Sequence, residues 1–409
     1  MNCRFCGAPV SRTFVDLGVQ PLSNAYVDRG AAEKAEPFYP LHAFVCDACL
    51  LVQLCEFESP ERIFSDYAYL SSMSDSWLDH CRRYAQHMAS ELALTSSSLV
   101  VEVASNDGYL LRFFRDQGVR VLGIEPAANV AAIAEKSGIP SIARFFGTRL
   151  ARELVAEGRR ADLLVGNNVL AHVPDLNDFV SGLALLLAPG GVLTMEFPHL
   201  GSLLEHNQFD TIYHEHFSYF SFATAERVFA AHGLVLFDVE ALSTHGGSLR
   251  IYARHEAAQP ARPISERVNA LRAAERAQGL HRMDTYARFA ERVRETKRGL
   301  LEFLIARKRE GKQIVAYGAP AKGNTLLNYC GVRTDFIDYA VDRSPLKQGK
   351  LLPGTRIPIE PPERIRETRP DYVLVLPWNI KDEIARQLAY VQEWGGKLFV
   401  PIPEVMVLP

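Results

Sequence analysis

The sequence predicts an α/β protein with two parallel, Rossmann-like sheets behind a small cysteine-bearing module. Two stretches of the chain alternate β-like runs with amphipathic helices at the spacing of βαβ units, which implies parallel sheets. Two closely spaced cysteine pairs lie before residue 50. With 409 residues, 48% of them hydrophobic, the chain can form more than one core.

The N-terminal module is predicted over residues 1–58 because Cys3-x-x-Cys6 and Cys46-x-x-Cys49 bracket most of it. Each pair can form a knuckle, and four thiolates in a tetrahedral set suit Zn²⁺. Such a shell leaves no position open for water or substrate, so the ion is expected to be structural. Redox-active pairs or chance core cysteines are the alternatives, but neither accounts for both pairs lying on so short a module.

The other elements follow from hydrophobic periodicity. In the module, β-like runs are predicted at 13–17 and 44–54, and residues 59–95 are expected to form a helical connector that covers the site. In the first αβ domain, 96–255, we predict strands at 99–103, 119–124, 162–166 and 191–197, an antiparallel pair at 235–241 and 248–253, and helices at 109–117, 174–187 and 222–232. A helical linker, 256–309, leads to the second domain, 310–409, with predicted strands at 314–317, 337–341, 372–376 and 397–401 and helices at 325–330 and 381–390.

Charge and hydropathy exclude some classes of partner. Lys plus Arg number 45 against 48 for Asp plus Glu, a net charge of -3, without the basic surplus of a nucleic-acid binder. The longest apolar runs, such as 183–188, fall far below the roughly 20 residues of a membrane span. The N-terminus carries a cysteine pair in place of a basic-then-apolar leader. We expect a cytoplasmic protein that binds neither nucleic acid nor membrane.

The first strand-to-helix turn reads Glu102-Val103-Ala104-Ser105-Asn106-Asp107-Gly108. Two glycines of the dinucleotide pattern G-x-G-x-x-G are absent, which disfavours NAD. The turn resembles the first motif of class I S-adenosylmethionine (SAM) methyltransferases. Glu125 follows the next strand at about the 20-residue offset expected of a ribose-binding carboxylate. An ordinary αβ turn is the alternative. The residues expected to bind the cofactor here are Glu102, Ala104, Ser105, Asn106, Gly108, Glu125 and Pro126.

A wider set of motifs points to one family. It comprises the cysteine quartet, Ser105-Asn106-Asp107-Gly108, Asn168-x-x-x-His172, Tyr213-x-Glu215-His216-Phe217, His245-Gly246-Gly247-Ser248 and Gly318-Ala319-x-Ala321-Lys322-Gly323. Over nearly the whole chain, this combination resembles the SAM-dependent sugar C-methyltransferases of deoxysugar biosynthesis. The resemblance implies a zinc-binding module, a SAM-binding Rossmann domain and a C-terminal Rossmann-like domain that helps to hold a nucleotide-linked keto sugar. It also implies methyl transfer to a ring carbon next to the ketone.

Such a reaction needs a base and an oxyanion partner, because a sugar C–H becomes acidic only beside a carbonyl whose enolate oxygen is stabilised. The resemblance assigns Tyr213, Glu215 and His216 to the active-site motif. Since an imidazole titrates near neutrality, His216 is the expected general base, oriented by Glu215, while Tyr213 donates to the enolate or shares the proton relay. His172 is expected to polarise the ketone or contact the sugar. A polar helix start with surface histidines is the alternative for this cluster.

Further residues are expected around the same site. Tyr67 and Tyr69 lie in a segment that resembles the family's tyrosine-rich stretch over the active site. Phe145 or Phe146 is expected to contact adenine, and Asn168 follows a strand at the edge where α/β sheets bind ligands. The residues expected to bind the substrate are Glu196, His199, His245, Arg250, Gly318, Ala319, Lys322 and Asn324. The glycine-rich turn after residue 317 suits an anionic group, although a plain Rossmann turn is its alternative.

The sequence therefore predicts a SAM-dependent C-methyltransferase acting on a nucleoside-diphosphate-linked keto-deoxysugar. An O- or N-methyltransferase is the alternative enzyme, because positioning of the acceptor could then suffice without an enolate. A zinc-ribbon interaction module would carry a basic aromatic patch, which the charge balance does not support. An NAD-dependent sugar oxidoreductase is a minor third interpretation, since neither glycine turn fits it.

Overall fold

The computed structural model describes residues 1–64, 70–73 and 75–409. Three sheets of four or more strands organise this part of the chain, and a two-stranded ribbon joins its two ends. Strands from distant segments of the chain share sheets. The domain boundaries therefore stay a prediction, with the ranges 1–58, 59–95, 96–255, 256–309 and 310–409.

The N-terminal sheet has four antiparallel strands. In spatial order they are Arg12–Gln20, Tyr39–Val45, Val52–Leu54 and Ser218–Tyr219. Alternate residues of the second strand, Leu41, Ala43 and Val45, are fully buried, as expected of a strand with one face on a core. The fourth strand comes from the segment that carries the predicted catalytic residues, so the metal-binding module and that segment form one sheet.

The predicted single strand at 44–54 is wrong. The chain turns back within it, since the Leu50 amide donates to the Cys46 carbonyl and the Cys46 amide donates to the Leu51 carbonyl. Leu50 has φ of 63°, in the left-handed region. A knuckle must turn the chain so that both thiols of the pair face one ion, which interrupts the hydrophobic run.

The central sheet has seven strands. In spatial order they are Leu234–Leu242, Ser248–His255, Leu187–Pro198, Ala161–Asn167, Leu99–Val103, Arg120–Ile124 and Ser141–Ile142. Ser248–His255 is antiparallel to both neighbours, which confirms the predicted antiparallel pair, and the other pairings are parallel. All five residues of Leu99–Val103 are buried, as in a parallel sheet covered on both faces.

Helices cover the two faces of the central sheet. They are Asp75–Glu91, Leu111–Arg115, Ala128–Lys136, Thr148–Ala156, Leu176–Leu186 and Phe222–Ala230, with Pro60–Phe64 preceding them. The helix Leu200–Glu205 instead packs into the core of the N-terminal and C-terminal sheets. Short 3-10 turns are Arg29–Ala31, Ser71–Met73, Leu170–His172, Phe209–Thr211 and Thr244–Gly246. The Asp175 carboxylate accepts from the Asp178 amide and caps its helix.

The C-terminal sheet has six strands. In spatial order they are Ile359–Glu360, Ala340–Val341, Ile314–Tyr317, Tyr372–Val375, Lys397–Val400 and Met406–Val407, of which the last is antiparallel to its neighbour. The linker helices are Glu266–Gln278, Met283–Ala287 and Phe289–Arg309. The helices of the C-terminal part are Ala321–Cys330, Arg364–Thr368, Lys381–Gln387 and the 3-10 turns Trp378–Ile380 and Ala389–Trp394.

The N-terminal and C-terminal parts of the chain are joined directly. Val27–Asp28 pairs antiparallel with Lys350–Leu351, and strands of both the N-terminal and the C-terminal sheet contribute to one hydrophobic core. None of the helices in the described part of the chain combines the length and apolar character that a membrane span requires.

Candidate active site

One cavity of about 620 Å³ lies at the carboxyl edge of the central sheet. Strands ending at Val103, Ile124, Asn167 and Pro198 open into it, which is where α/β sheets bind ligands. The N-terminal module and the C-terminal domain form its other walls. We call this space the central cavity.

The cysteine quartet forms one compact cluster away from this cavity. The sulfur atoms of Cys3, Cys6, Cys46 and Cys49 all lie within 4.8 Å of one another, with 3.5 Å between those of Cys3 and Cys49 and 3.6 Å between those of Cys6 and Cys46. Tetrahedral zinc with Zn–S bonds of about 2.3 Å requires sulfur separations in this range. The donor set therefore fits a closed structural zinc site. Gln53 supports it, since its Nε2 donates to the Cys3 sulfur at 3.2 Å.

The first strand-to-helix turn forms the wall of the cavity where the cofactor is predicted to bind. Glu125 braces it, because Oε2 accepts from the Asn106 amide and Oε1 from the Ala127 amide, both at 2.9 Å. Asn168 lines the same wall, and its buried Oδ1 has no hydrogen-bond partner among the described residues. An unpaired acceptor of this kind fits a polar cofactor such as SAM. The predicted cofactor residues that line the cavity are Ala104, Asn106, Glu125, Pro126, Phe145, Phe146 and Asn168.

Three other predicted cofactor residues lie beneath that wall. Glu102 is fully buried, and burial raises its pKa well above the usual range. Ser105 is also fully buried. Gly108 has φ of 78°, and a Cβ there would lie 2.8 Å from Cγ1 of Ile139, so the turn packs closely at that point. These three residues therefore support the packing of the turn and do not line the cavity.

His216 and Tyr213 form a hydrogen-bonded pair in the cavity. Nδ1 of His216 lies 2.9 Å from the carbonyl oxygen of Thr211, which can only accept, so Nδ1 carries the proton. The neutral ring then presents the lone pair of Nε2 to the Tyr213 hydroxyl, also 2.9 Å away. Burial, with a smaller contribution from His172, lowers the pKa of His216 well below its usual range. At neutral pH His216 is an unprotonated base.

His172 lies beside this pair. Its ring centroid is 4.7 Å from that of His216, at an interplanar angle of 69°. Burial lowers the pKa of His172 to about 4, against the effect of a hydrogen bond to the Glu215 backbone. His172 is therefore neutral at pH 7, and because its one N–H is donated to the Glu215 carbonyl, its other ring nitrogen is a hydrogen-bond acceptor.

Glu215 lines the same cavity and is buried, with 3% of its surface exposed. Its Oε1 accepts from the side-chain amide of Asn24 at 2.7 Å. Burial raises the pKa of Glu215 to about 7, and the hydrogen bond from Asn24 opposes that shift. The carboxyl group of Glu215 therefore gains or loses its proton near neutral pH.

The C-terminal domain places a lysine in the cavity wall. The Lys322 ammonium donates to Oδ1 of Asn379 and lies 4.4 Å from the ring centre of Trp378. Burial lowers the pKa of Lys322 to about 8, against the charge of Asp210. Asp210 is fully buried and accepts from Nε1 of Trp378 at 2.7 Å; burial raises its pKa to about 6. The hydrogen bond between Asp210 and Trp378 connects the segment 210–219 to the C-terminal domain.

Comparison with known proteins identifies the family. Family models match residues 3–64 ("Putative zinc binding domain"), residues 77–239 ("Methyltransferase domain") and residues 243–403 ("C-methyltransferase C-terminal domain"). The C-methyltransferase NovU of Streptomyces niveus is 38% identical over 410 residues, covering 100% of this chain and 96% of NovU. The chain belongs to this C-methyltransferase family. It is a SAM-dependent methyltransferase with a zinc-binding N-terminal module, which confirms the predicted family, fold class and cofactors.

Other similarities cover less of the chain. A ubiquinone biosynthesis O-methyltransferase of Rhodopseudomonas palustris is 29% identical over 119 residues, 28% of this chain and 45% of that protein. Among solved structures, the PH0226 protein of Pyrococcus horikoshii matches with a TM-score of 0.36 and 16% identity, covering 49% of this chain and 99% of that chain.

Several predicted substrate residues of the C-methyltransferase lie outside the cavity lining. Nε2 of His199 lies 2.8 Å from the Glu275 carboxylate of a linker helix. Glu196 and Arg250 form an internal ion pair at 2.8 Å. His245 does line the cavity, with its ring centroid 5.5 Å from that of Trp77.

In the glycine-rich turn of the C-terminal domain, too, only some of the predicted substrate residues line the cavity. Lys322 lines the cavity, whereas Gly318, Ala319 and Asn324 are not part of its lining. The Ala319 carbonyl accepts from the Tyr26 hydroxyl at 2.5 Å, and the Asn324 side chain donates to the Ser23 carbonyl at 2.7 Å. These contacts bind the N-terminal module. Tyr67 and Tyr69 lie outside the described residues.

Other cavity residues were not singled out from the sequence. Asn24 and Lys347 line the cavity, while Asp210 lies behind its wall. Asp210 begins the polar segment 210–219, so its place next to the predicted catalytic residues in the sequence could have pointed to it. No motif singled out Asn24 or Lys347, because each reaches the cavity from a turn that is distant in sequence from the strands of the central sheet.

Proposed function

We propose that this C-methyltransferase methylates a ring carbon next to the ketone of a nucleoside-diphosphate-linked keto-deoxysugar. The observation that carries the proposal is the neutral Tyr213–His216 pair, which opens into the same cavity as the cofactor turn. Methyl transfer to an oxygen or nitrogen does not require a base to make a carbon nucleophile, whereas transfer to carbon does.

The residues have distinct roles in the proposed reaction. As the C–H bond next to the ketone breaks, its proton passes to Nε2 of His216, directly or through the Tyr213 hydroxyl, and the bonding electrons form an enolate. Once Nε2 of His216 is protonated, the Tyr213 hydroxyl can donate a hydrogen bond to the enolate oxygen, and the neutral His172 can accept one from the sugar. Glu215 lines the same cavity, and its carboxylate charge favours the positive charge that forms on the imidazole. The enolate carbon is then the required nucleophile.

SAM, when bound, supplies an electrophilic methyl group. Asn106, Glu125 and Asn168 offer polar groups to hold it, and Phe145 and Phe146 offer aromatic contacts for adenine. These assignments follow the cavity lining.

The acceptor is proposed to bind toward the C-terminal domain. Lys322 and Lys347 line that side of the cavity, and an ammonium group suits a diphosphate. Nζ of Lys347 is held 2.9 Å from the Ala319 carbonyl.

The cytoplasm remains the compartment predicted from the sequence.

The test is mass spectrometry of reactions with methyl-deuterated SAM and a panel of dTDP- and GDP-linked keto-deoxysugars. A parallel reaction in deuterated water without SAM detects enolisation. A labelled methyl on ring carbon, with solvent deuterium at the same carbon in the control, supports the proposal. Label on oxygen or nitrogen, without deuterium exchange at carbon, would show an O- or N-methyltransferase instead.

A further inference from the structure

The N-terminal module contributes a side chain to the active site. Asn24 lies in the loop that follows the strand Arg12–Gln20, and it lines the central cavity. Its side-chain amide donates to Oε1 of Glu215 at 2.7 Å, across 191 positions of sequence. A zinc-binding module that only stabilised the fold would have no need to reach this carboxyl group.

The loop that carries Asn24 is fixed on both sides. Before Asn24, the Ser23 carbonyl accepts from the Asn324 side chain at 2.7 Å. After it, the Tyr26 hydroxyl donates to the Ala319 carbonyl at 2.5 Å, and Val27–Asp28 pairs with a C-terminal strand. The C-terminal domain therefore holds the backbone at Asn24 in place.

Uncharged groups face Glu215 from the other elements. Tyr26 lies near it, and burial raises the pKa of that phenol far above the neutral range. His172 forms a hydrogen bond to the Glu215 backbone, and burial lowers the pKa of His172 to about 4. Both groups are neutral at pH 7, so neither offsets the burial of the Glu215 carboxylate by charge. The hydrogen bond from Asn24 is the contact that favours the ionised form.

We propose that Asn24 is a positioning residue, which holds the Glu215 carboxyl group in its orientation in the wall of the central cavity and stabilises the carboxylate through its hydrogen bond. This inference rests on the proposed function. If Asn24 has this role, the N-terminal module is part of the active site. The contacts at Ser23 and Tyr26 then also hold Asn24 in position.

The test measures the titration of Glu215 directly, without an acceptor. Protein containing glutamate labelled with ¹³C at the carboxyl carbon is titrated by NMR, and Glu215→Gln identifies the Glu215 resonance by its loss. In Asn24→Leu, which is similar in size and has no donor, the pKa of Glu215 should rise by about one unit. Asn24→Asp, the same shape with an acceptor, should raise it at least as far. Asn24→Gln should partly restore the wild-type value.

Controls separate positioning from damage to the fold. Asn2→Leu changes the same residue type in the same module away from the cavity and should leave the titration unchanged. Zinc content and SAM affinity should stay at wild-type values in the Asn24 variants. If Asn24→Leu fails to fold, the isosteric Asn24→Asp carries the test. An unchanged pKa of Glu215 in folded Asn24 variants overturns the inference.

An activity measurement distinguishes this failure from failure of the proposed function. With an acceptor from the panel, Asn24→Leu should lower kcat/KM by about tenfold to a hundredfold and move its acidic limb to higher pH. A higher acceptor KM with an unmoved limb would make Asn24 a substrate contact and overturn the inference alone. Full turnover by both Glu215→Gln and His216→Asn would overturn the proposed function, whatever Asn24 does.

Discussion

The hydroxyl of Tyr213 lies 2.9 Å from Nε2 of His216, and the two rings are 4.1 Å apart. The segment that carries this pair is held at both ends. On one side, Asp210 accepts from Trp378 of the C-terminal domain, and on the other, Ser218 pairs with Gln53 of the N-terminal sheet. The parts of the chain that flank the central domain therefore hold the segment that carries the proposed base, His216.

The first prediction concerns the base. His216→Asn should lower turnover by at least about a hundredfold, because the variant side chain cannot take up a proton near neutral pH. Tyr213→Phe, which removes one hydroxyl, should also lower turnover, since the relay and an oxyanion donor are lost together. The measurement is turnover with labelled SAM, with SAM affinity by calorimetry as the control for folding. Full activity in folded His216→Asn would remove His216 as the base.

The second prediction concerns the cofactor turn. Glu125→Ala should weaken SAM binding by about tenfold or more, because it removes the ribose acceptor and leaves the Asn106 and Ala127 amides unpaired. Calorimetry of SAM binding provides the measurement, and His216→Asn is the matched control that should bind SAM normally. Unchanged affinity in Glu125→Ala would contradict the assignment to the ribose.

The fold could be predicted well where the periodicity was strong. The strand at 99–103 and the strand at 314–317 match the structure residue for residue, since each is a short apolar run followed by a turn. The carboxyl-edge rule also brought Asn106, Glu125 and His172 into one cavity. These predictions rest on local patterns and on one general property of parallel sheets.

Side-chain direction and long-range contacts could not be predicted in this way. His199 follows the strand Leu187–Pro198 at the expected edge, but its ring turns toward Glu275, which lies 76 positions later. The contact between Asn24 and Glu215 depends on how the N-terminal sheet docks, and no local pattern records that. The turn at Cys46 and Cys49 interrupts an apolar run, so hydrophobic periodicity alone did not predict it.

The third prediction concerns zinc. Cys46→Ser should lower the zinc content and the melting temperature, because a four-thiolate site contributes directly to the folding of its module. It should also lower activity, since Ser218–Tyr219 belongs to the same sheet as the module. Elemental analysis and thermal unfolding are the measurements. Cys55→Ser, outside the quartet, is the matched control and should keep its zinc; a metal-free but equally stable Cys46→Ser would contradict a structural ion.

The fourth prediction concerns Glu196 and Arg250, which form an internal ion pair. Burial alone would raise the pKa of Glu196, but the hydrogen bond from His80 and the charge of Arg250 outweigh it and hold the pKa at about 2. Because Glu196 is fully buried, Arg250→Met should lower the free energy of unfolding by about 3–5 kcal/mol at pH 7. Denaturant titration measures this loss, and Arg250→Met with Glu196→Gln should lose less.

The pH dependence of this loss follows from the same pair. In the wild type the folded-state pKa of about 2 lies below the usual 4.5, so the stabilisation is fully present above pH 4.5 and is lost as the pH falls toward 2. Without Arg250, burial raises the pKa of Glu196, and protonation then relieves the buried charge. The difference in stability between wild type and Arg250→Met should therefore be largest near neutral pH and shrink below pH 4.5. A difference that stays constant with pH would show that Arg250 acts through packing against Tyr84, over whose ring its guanidinium lies at 4.4 Å.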